Sequence, residues 1–394
     1  MIKQHKAPRL PDGGKSTNKY KNKSANKGKG KNKNMRVMTP GRVALLAVVA
    51  IIFIFTLYAY LFLATDLFKP PPPSVVFPKG GFGDEFLPDT DDADIPEDLA
   101  GDWNPDCFTF LILGRDEGVH TDTMMLAVFD TKNNTLSILN IPRDIYVTTR
   151  GFAGKITNVY GRGRTIAREN GFTGTDIADE GIKYLKAMIQ YTFGIPVQFH
   201  IMIDLKGFKF LVNEIGGVEM DVPIRMFYED PEQNLYINLY PGVQILNGDK
   251  AEQLVRFREG YDSQDLGRIE TQQKFIAALL KKLLKADLRT INALFETATK
   301  YMETNITAAN AAWFASRGMN VKLEDIRTNT VPGAWVYPHL VAYKQETMEI
   351  INKYFNPFKK DIPASNFNIN DKGANLGSNP DANIDGVNMA DLIR

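Results

Sequence analysis

Apolar and polar residues fall along the chain in blocks of differing period, and the periods predict the elements. The longest apolar block runs from Val43 to Ala64, 22 residues without a charge. At about 1.5 Å per residue, a helix of that length spans roughly 33 Å, enough for a bilayer core of about 30 Å. A helix satisfies its own backbone groups, as a lipid interior demands. The block exceeds a signal-peptide core and runs into Ala64-Thr65-Asp66, not a small-residue cleavage pattern. It is read as a retained transmembrane helix.

Beyond residue 106 the blocks shorten. CFTFLIL (107–113), TMMLAVF (123–129) and TLSILNI (135–141) read as buried strands. The last two form a hairpin about the turn chemistry of Asp130 to Asn134. Ile177, Ile182, Leu185, Met188 and Ile189 recur at helical spacing within 176–193. Further strands are expected at 199–203, 218–222, 254–258 and 325–331. Further helices are expected at 208–215, 268–284, onward to about 317, and 343–354. This alternation predicts an α/β domain, a mixed central β-sheet flanked by helices, after one N-terminal transmembrane helix.

The net charge of +1 conceals a separation of charge. Residues 1–40 hold twelve Lys or Arg and one acidic residue, whereas residues 65–106 hold eleven acidic residues and two lysines. By the positive-inside rule the basic end stays in the cytoplasm and residues 65–394 lie outside the cell membrane. The lysines lack any apolar period, so they are read as a topology signal touching anionic lipid, with no nucleic acid as partner. The expected organisation is a basic disordered tail (1–42), the span (43–64), a Pro/Gly/acidic linker (65–105), a folded outer domain (106–358) and a flexible Asn-rich tail (359–394). Within that tail, Asp381 to Gly386 copies the first half of a calcium loop, but Leu392 stands where a carboxylate ligand belongs. Cys107 is the only cysteine, which excludes an intramolecular disulfide and a multi-cysteine zinc site.

The candidate chemistry lies where charges interrupt strand ends. Asp116 follows the first strand, Asp122 enters the second, and Arg143-Asp144 ends the third. The hairpin puts Asp122 and Arg143 at one open end. Two carboxylates at one edge repel unless a proton or a cation lies between them, and Mg²⁺ (or Mn²⁺) suits oxygen ligands where a cysteine or histidine cluster is absent. Arg256 and Arg258, two apart on the expected strand 254–258, would share a face. Arg268 opens the following helix with Gln272 one turn on, and a helix start favours an anion. Pair by pair, these residues also read as structural ion pairs: Asp144 with Arg143, and Asp262 or Asp265 with Arg256 or Arg258. As a set they suit a site for a phosphate and a divalent cation.

In combination and order, several segments resemble the LytR-CpsA-Psr cell-wall glycopolymer ligases. They are LILGRD (111–116), TDTMML (121–126), IPRDIYV (141–147), Lys155-Ile156, GFKFLVNEIGGVEMDVP (207–223), Leu246-Asn247-Gly248, VRFR (255–258), and the D-x-x-R-x-x-x-Q of Asp265, Arg268 and Gln272. The likeness runs from about Phe108 to about Asn356. It implies a phosphotransferase that moves a teichoic-acid, capsule or similar glycopolymer from a polyprenyl-(pyro)phosphate carrier to a peptidoglycan hydroxyl, with the prenyl chain in an apolar tunnel. By matching, Asp116 and Asp122 would hold Mg²⁺, and Arg143, Arg256, Arg258 and Arg268 the pyrophosphate. Asp144, Asp265 and Gln272 would support them. Two departures stand out: His120 replaces a common arginine, and Thr157 follows Lys155-Ile156 where the family has asparagine. Polyprenyl pyrophosphate hydrolysis and a non-catalytic envelope sensor or transcriptional attenuator are the alternative functions.

Overall fold

The computed structural model describes Pro70, Leu99 and residues 101–115, 121–149, 151–232, 235–260, 265–369 and 379–393. The span 43–64, the basic tail, most of the linker, and Asp116 to His120 lie outside the described residues. Among the described residues, no helix is long and apolar enough to cross a membrane.

The first strands follow the apolar runs: β1 (Cys107–Arg115), β2 (Thr121–Asp130) and β3 (Thr135–Asn140), then the short β4 (Tyr146–Thr148) and β5 (Ala153–Lys155). Two helices come next, α1 (Thr157–Glu169) and α2 (Asp176–Phe193). Then follow β6 (Phe199–Asp204), α3 (Leu205–Glu214), β7 (Val218–Val222), β8 (Met226–Asp230), β9 (Leu235–Leu239) and β10 (Gly242–Leu246). The remainder comprises α4 (Gly248–Arg256), α5 (Asp265–Leu283), α6 (Leu288–Ala298), β11 (Met302–Thr304), α7 (Ala308–Gly318), β12 (Ile326–Thr330), β13 (Gly333–Val336), β14 (His339–Ala342), α8 (Lys344–Ile350) and β15 (Val387–Asn388).

Among the described residues, seven strands form the central sheet in the order β11-β6-β1-β2-β3-β12-β15. It is mixed: β1–β2 and β2–β3 are antiparallel, while β1–β6 and β3–β12 are parallel. A large core joins Leu111, Leu113 and Leu126 of the sheet to Tyr160, Leu185, Met188 and Phe193 of the helices. A second core gathers Val218, Met220 and Val222 of β7, Ile237 and Leu239 of β9, Leu254 of α4 and Phe275 of α5.

The helix α1 was not expected. Its glycines disguise it, yet Gly163 is required by packing: a Cβ there would lie 2.7 Å from the Tyr184 side chain of α2. The strand expected at 254–258 is corrected to a helix. Asn247 caps α4 by accepting from the Lys250 N–H at 3.0 Å, and Ala251 and Leu254 turn inward at helical spacing. Arg256 is therefore the last residue of a helix, Phe257 its extended cap, and the shared strand face for Arg256 and Arg258 falls away.

The described ends of the folded domain also pack. Trp103 meets Phe358 edge to face at 5.5 Å, and Asn104 N–H donates to Pro357 O at 2.9 Å. Of the expected flexible tail, Ile362, Phe367 and Ile369 join the large core, while β15 pairs with β12. Asp385, in the calcium-like segment, instead accepts from Lys353 and Tyr354, each at 2.7 Å.

Candidate functional site

The β2–β3 register fixes the site. Met125 lies opposite Asn140, and the Ile141 N–H donates to Met124 O at 2.9 Å. Extending that register places Asp122 opposite Arg143, and the two side chains form an ion pair. Arg143 Nε also lies 3.8 Å from Asp144, whose other oxygen is 2.6 Å from Lys155 Nζ. The helix α1 begins against this edge: Thr157 Oγ1 donates to Thr121 O at 3.0 Å, and its N–H donates to Arg143 O at 3.2 Å. The start of α1 has no side-chain cap and no acidic residue in its first turn. Its positive end thus faces the Arg143 backbone beside Lys155.

The pair is half exposed, with side-chain accessibilities of 39% for Arg143 and 43% for Asp122. Exposed pairs contribute only about 0–1 kcal/mol. Asp122 therefore orients the guanidinium without committing it, and a phosphate can take its place at small cost. Its second carboxylate oxygen, a hard donor, has no partner among the described residues. That donor fits one ligand position of Mg²⁺ or Mn²⁺. Asp116, the second expected ligand, lies outside the described residues, among which no group of three or more His, Cys, Asp or Glu side chains could hold a metal.

Beside the pair lies a set that the sequence did not single out. Arg115, at the end of β1, donates to Glu303 of β11 at 2.8 Å, and its guanidinium is 3.5 Å from the Tyr160 hydroxyl. Arg164 lies over the Tyr160 ring at 5.5 Å. Burial opposes charge on Arg115, but Glu303 and Tyr160 outweigh it and hold the guanidinium above the usual arginine range. Burial first, and the Glu303 charge second, push the Tyr160 phenol up. A charge directly after an apolar run was the available signal for Arg115. Glu303 carried none, being 188 residues away.

The second group of candidates sits on α4 and α5. Arg256 donates to Glu252 at 3.1 Å, one helical turn back. Gln272 of α5 donates to Val255 O at 2.8 Å, clamping the turn that leads to Arg256 and the exposed Arg258. Asp265 and Arg268 lie in α5, and their side chains are outside the described residues. Among the described residues, Arg143 pairs with Asp122 and with Asp144, and Asp122 pairs with Arg143 and not with Arg256 or Arg258.

A model of the LytR_cpsA_psr family matches residues 89–366. The chain is 29% identical over 211 residues to the polyisoprenyl-teichoic acid–peptidoglycan teichoic acid transferase TagV of Bacillus subtilis, covering 50% of either chain. It is 30% identical over 201 residues to the cell wall biosynthesis protein LcpA of Corynebacterium glutamicum, covering 48% of this chain and 38% of that one. The chain spans about half the length of the curated relatives it matches. The structure of Bacillus subtilis TagT bound to LIIa-WTA shares the mixed α/β fold, with a TM-score of 0.51 and 22% identity over 64% of this chain and 91% of that one.

Proposed function

The chain belongs to the LytR-CpsA-Psr family, and from that premise we propose that it transfers a glycopolymer from a polyprenyl-(pyro)phosphate carrier to a hydroxyl of peptidoglycan. Teichoic acid transferases among its relatives support the glycopolymer as cargo. In this reading residues 43–64 anchor the chain in the cytoplasmic membrane, and the folded part works outside it, where carrier and wall meet.

The observation that carries the proposal is the Asp122–Arg143 pair, set at the open end of the β2–β3 hairpin with Lys155 close by on Asp144. Phosphoryl transfer asks mainly for positioning and charge neutralisation. Arg143 turns from Asp122 to the phosphate that bears the glycan, while Lys155 stays with Asp144 and keeps the edge positive. Arg256 and Arg258 take the carrier-side phosphate, with the helix end that leads to them held by Gln272 through Val255 O. The acceptor hydroxyl oxygen forms the new bond to phosphorus, and the bond to the bridging oxygen breaks. Polyprenyl phosphate leaves, and the hydroxyl proton passes to a carboxylate, Asp122. Asp116 and Asp122 are the residues that would hold Mg²⁺, which when bound neutralises phosphate charge.

The test is incubation of the full chain with Mg²⁺, a lipid-linked glycan and nascent peptidoglycan, followed by mass analysis. The expected product is peptidoglycan carrying glycan-phosphate, with polyprenyl phosphate released. Release of free glycan-phosphate alone, with peptidoglycan unchanged, would make the protein a hydrolase and overturn the proposal.

A further inference from the structure

A cavity of about 190 Å³ lies between β9 and α4, lined by Leu235, Tyr236, Asp249, Glu252 and Gln253. Leu235 is buried, whereas Tyr236 keeps 54% of its surface exposed. Both carboxylates are already neutralised and held. Lys209 Nζ lies 2.7 Å from Asp249 and 3.2 Å from Glu252, and Arg256 binds the other Glu252 oxygen at 3.1 Å. Two cations against two carboxylates leave no net charge to attract an ion. Gln253 accepts from the Asn238 N–H at 2.9 Å, which fixes its amide and leaves its NH₂ as a donor. Fixed acceptors, a fixed donor and an aromatic ring around an apolar residue suit a neutral polyhydroxyl ring with one apolar face.

The strand extends the pattern. Alternate residues of β9 point the same way, so Tyr236 and Asn238 share its solvent face, and Tyr240 continues that row just past the strand. Tyr240 is 65% exposed, and Phe227 of β8, opposite Asn238, is 56% exposed. Arg225 lies 4.1 Å from the Tyr240 ring and donates to Asn238 Oδ1 at 2.6 Å. At roughly 3.3 Å per residue, Tyr236 and Tyr240 stand about 13 Å apart, longer than one sugar ring.

We propose that this cavity and the Tyr236–Asn238–Tyr240 face bind the sugar backbone of a glycan strand. The face presents rings and hydrogen-bonding groups in alternation, as an oligosaccharide presents CH faces and hydroxyls. Glu252, which lines the cavity, is ion-paired to Arg256. As to purpose, the inference rests on the transferase reading: the strand held here is the acceptor.

The test uses the full chain in detergent micelles and the β-1,4-linked N-acetylglucosamine hexamer as probe, followed by ligand-observed NMR. Tyr236→Ala and Gln253→Ala are expected to weaken hexamer binding by about tenfold, with Tyr236→Phe close to wild type. The acceptor KM rises in parallel for the two alanine variants, with kcat within about twofold of wild type. Equal hexamer affinity in all forms, or no binding by the wild type, overturns the proposal. A cationic stem-peptide probe that binds through these residues in place of the hexamer also overturns it. Tyr236-dependent binding without any transfer supports this site and sinks the transferase reading. Transfer with a KM blind to both alanine substitutions sinks the site alone.

Discussion

Arg143 sits where the backbone register puts it, whereas Arg256 sits where side chains hold a helix end. In the sheet, the antiparallel pairing of β2 with β3 leads straight to Asp122 and Arg143, and α1 is hydrogen-bonded to the backbone of both edges. In the layer built by β7 to β10, α4 and α5, an asparagine cap, the Glu252 ion pair and the Gln272 clamp do that work. Backbone register is set by many bonds at once, while a clamp is one bond worth about 1 kcal/mol. Under the proposed transfer, that difference suits the β2–β3 end to the reacting phosphate and the helical layer to carrier binding.

The sharpest test removes each arginine. Arg143→Ala is expected to lower kcat for transfer by roughly 10²–10³-fold, as loss of a charge-stabilising donor does. Its melting temperature should hardly move, because an exposed pair adds only about 0–1 kcal/mol. Arg256→Ala should act mainly on KM for the carrier. Equal collapse of kcat in both variants would erase the contrast.

Acid should also separate the two regions. His200 on β6 is buried, and burial, reinforced by Lys186 of α2, drops its pKa from 6.5 to about 3. The folded state then binds fewer protons than the unfolded state between those values, so stability is full above pH 6.5 and falls as pH drops toward 3. The loss at pH 4.5 is on the order of 3 kcal/mol. Hydrogen exchange should show β6 and β1 losing protection at pH 4.5 before β7 and β10 do, with His200→Gln narrowing the gap. Loss of protection first in β7 and β10 would contradict this assignment.

A third test works through packing. Gly163→Ala drives a Cβ against Tyr184 and shifts α1 on α2. Overpacking of this kind costs about 1–3 kcal/mol. Because Thr157 ties α1 to Thr121 and Arg143, transfer should fall with stability. A variant that loses stability but keeps full kcat at low temperature would uncouple α1 from the site.

What the sequence disclosed follows the same division. The hairpin was legible because two apolar runs flank turn residues, with Asn134 taking the positive φ of 55° that the turn needs. Register then carries Asp122 to Arg143 without further information. The helical layer was harder. Val255 and Phe257 alternate with Arg256 and Arg258, a period-two pattern that reads as a strand. The Asn247 cap and the Ala251/Leu254 spacing, which mark the helix, lie upstream of that window. The helix α1 was hidden by Gly161 and Gly163, the second used for close approach to Tyr184 rather than for a turn. The Arg115–Glu303 pair joins distant strands, and no local pattern announces such a partner.

The smallest expected effect tests the clamp itself. Gln272→Met keeps the side chain's length and volume but removes its donor, leaving the Val255 carbonyl without that bond. Helix-end carbonyls lack an intrahelical acceptor role, so Val255 O must turn to water, and the net loss is about 0.5–1.5 kcal/mol. That figure corresponds to roughly two- to tenfold in an equilibrium constant. The change should appear as a raised KM for the lipid-linked donor with kcat nearly constant, because the clamp positions Arg256 and Arg258 for binding while Arg143 is untouched. A kcat loss as deep as that of Arg143→Ala would mean that the helical layer is as rigidly committed to the reacting phosphate as the sheet edge, and the two means of holding an arginine would then serve one function.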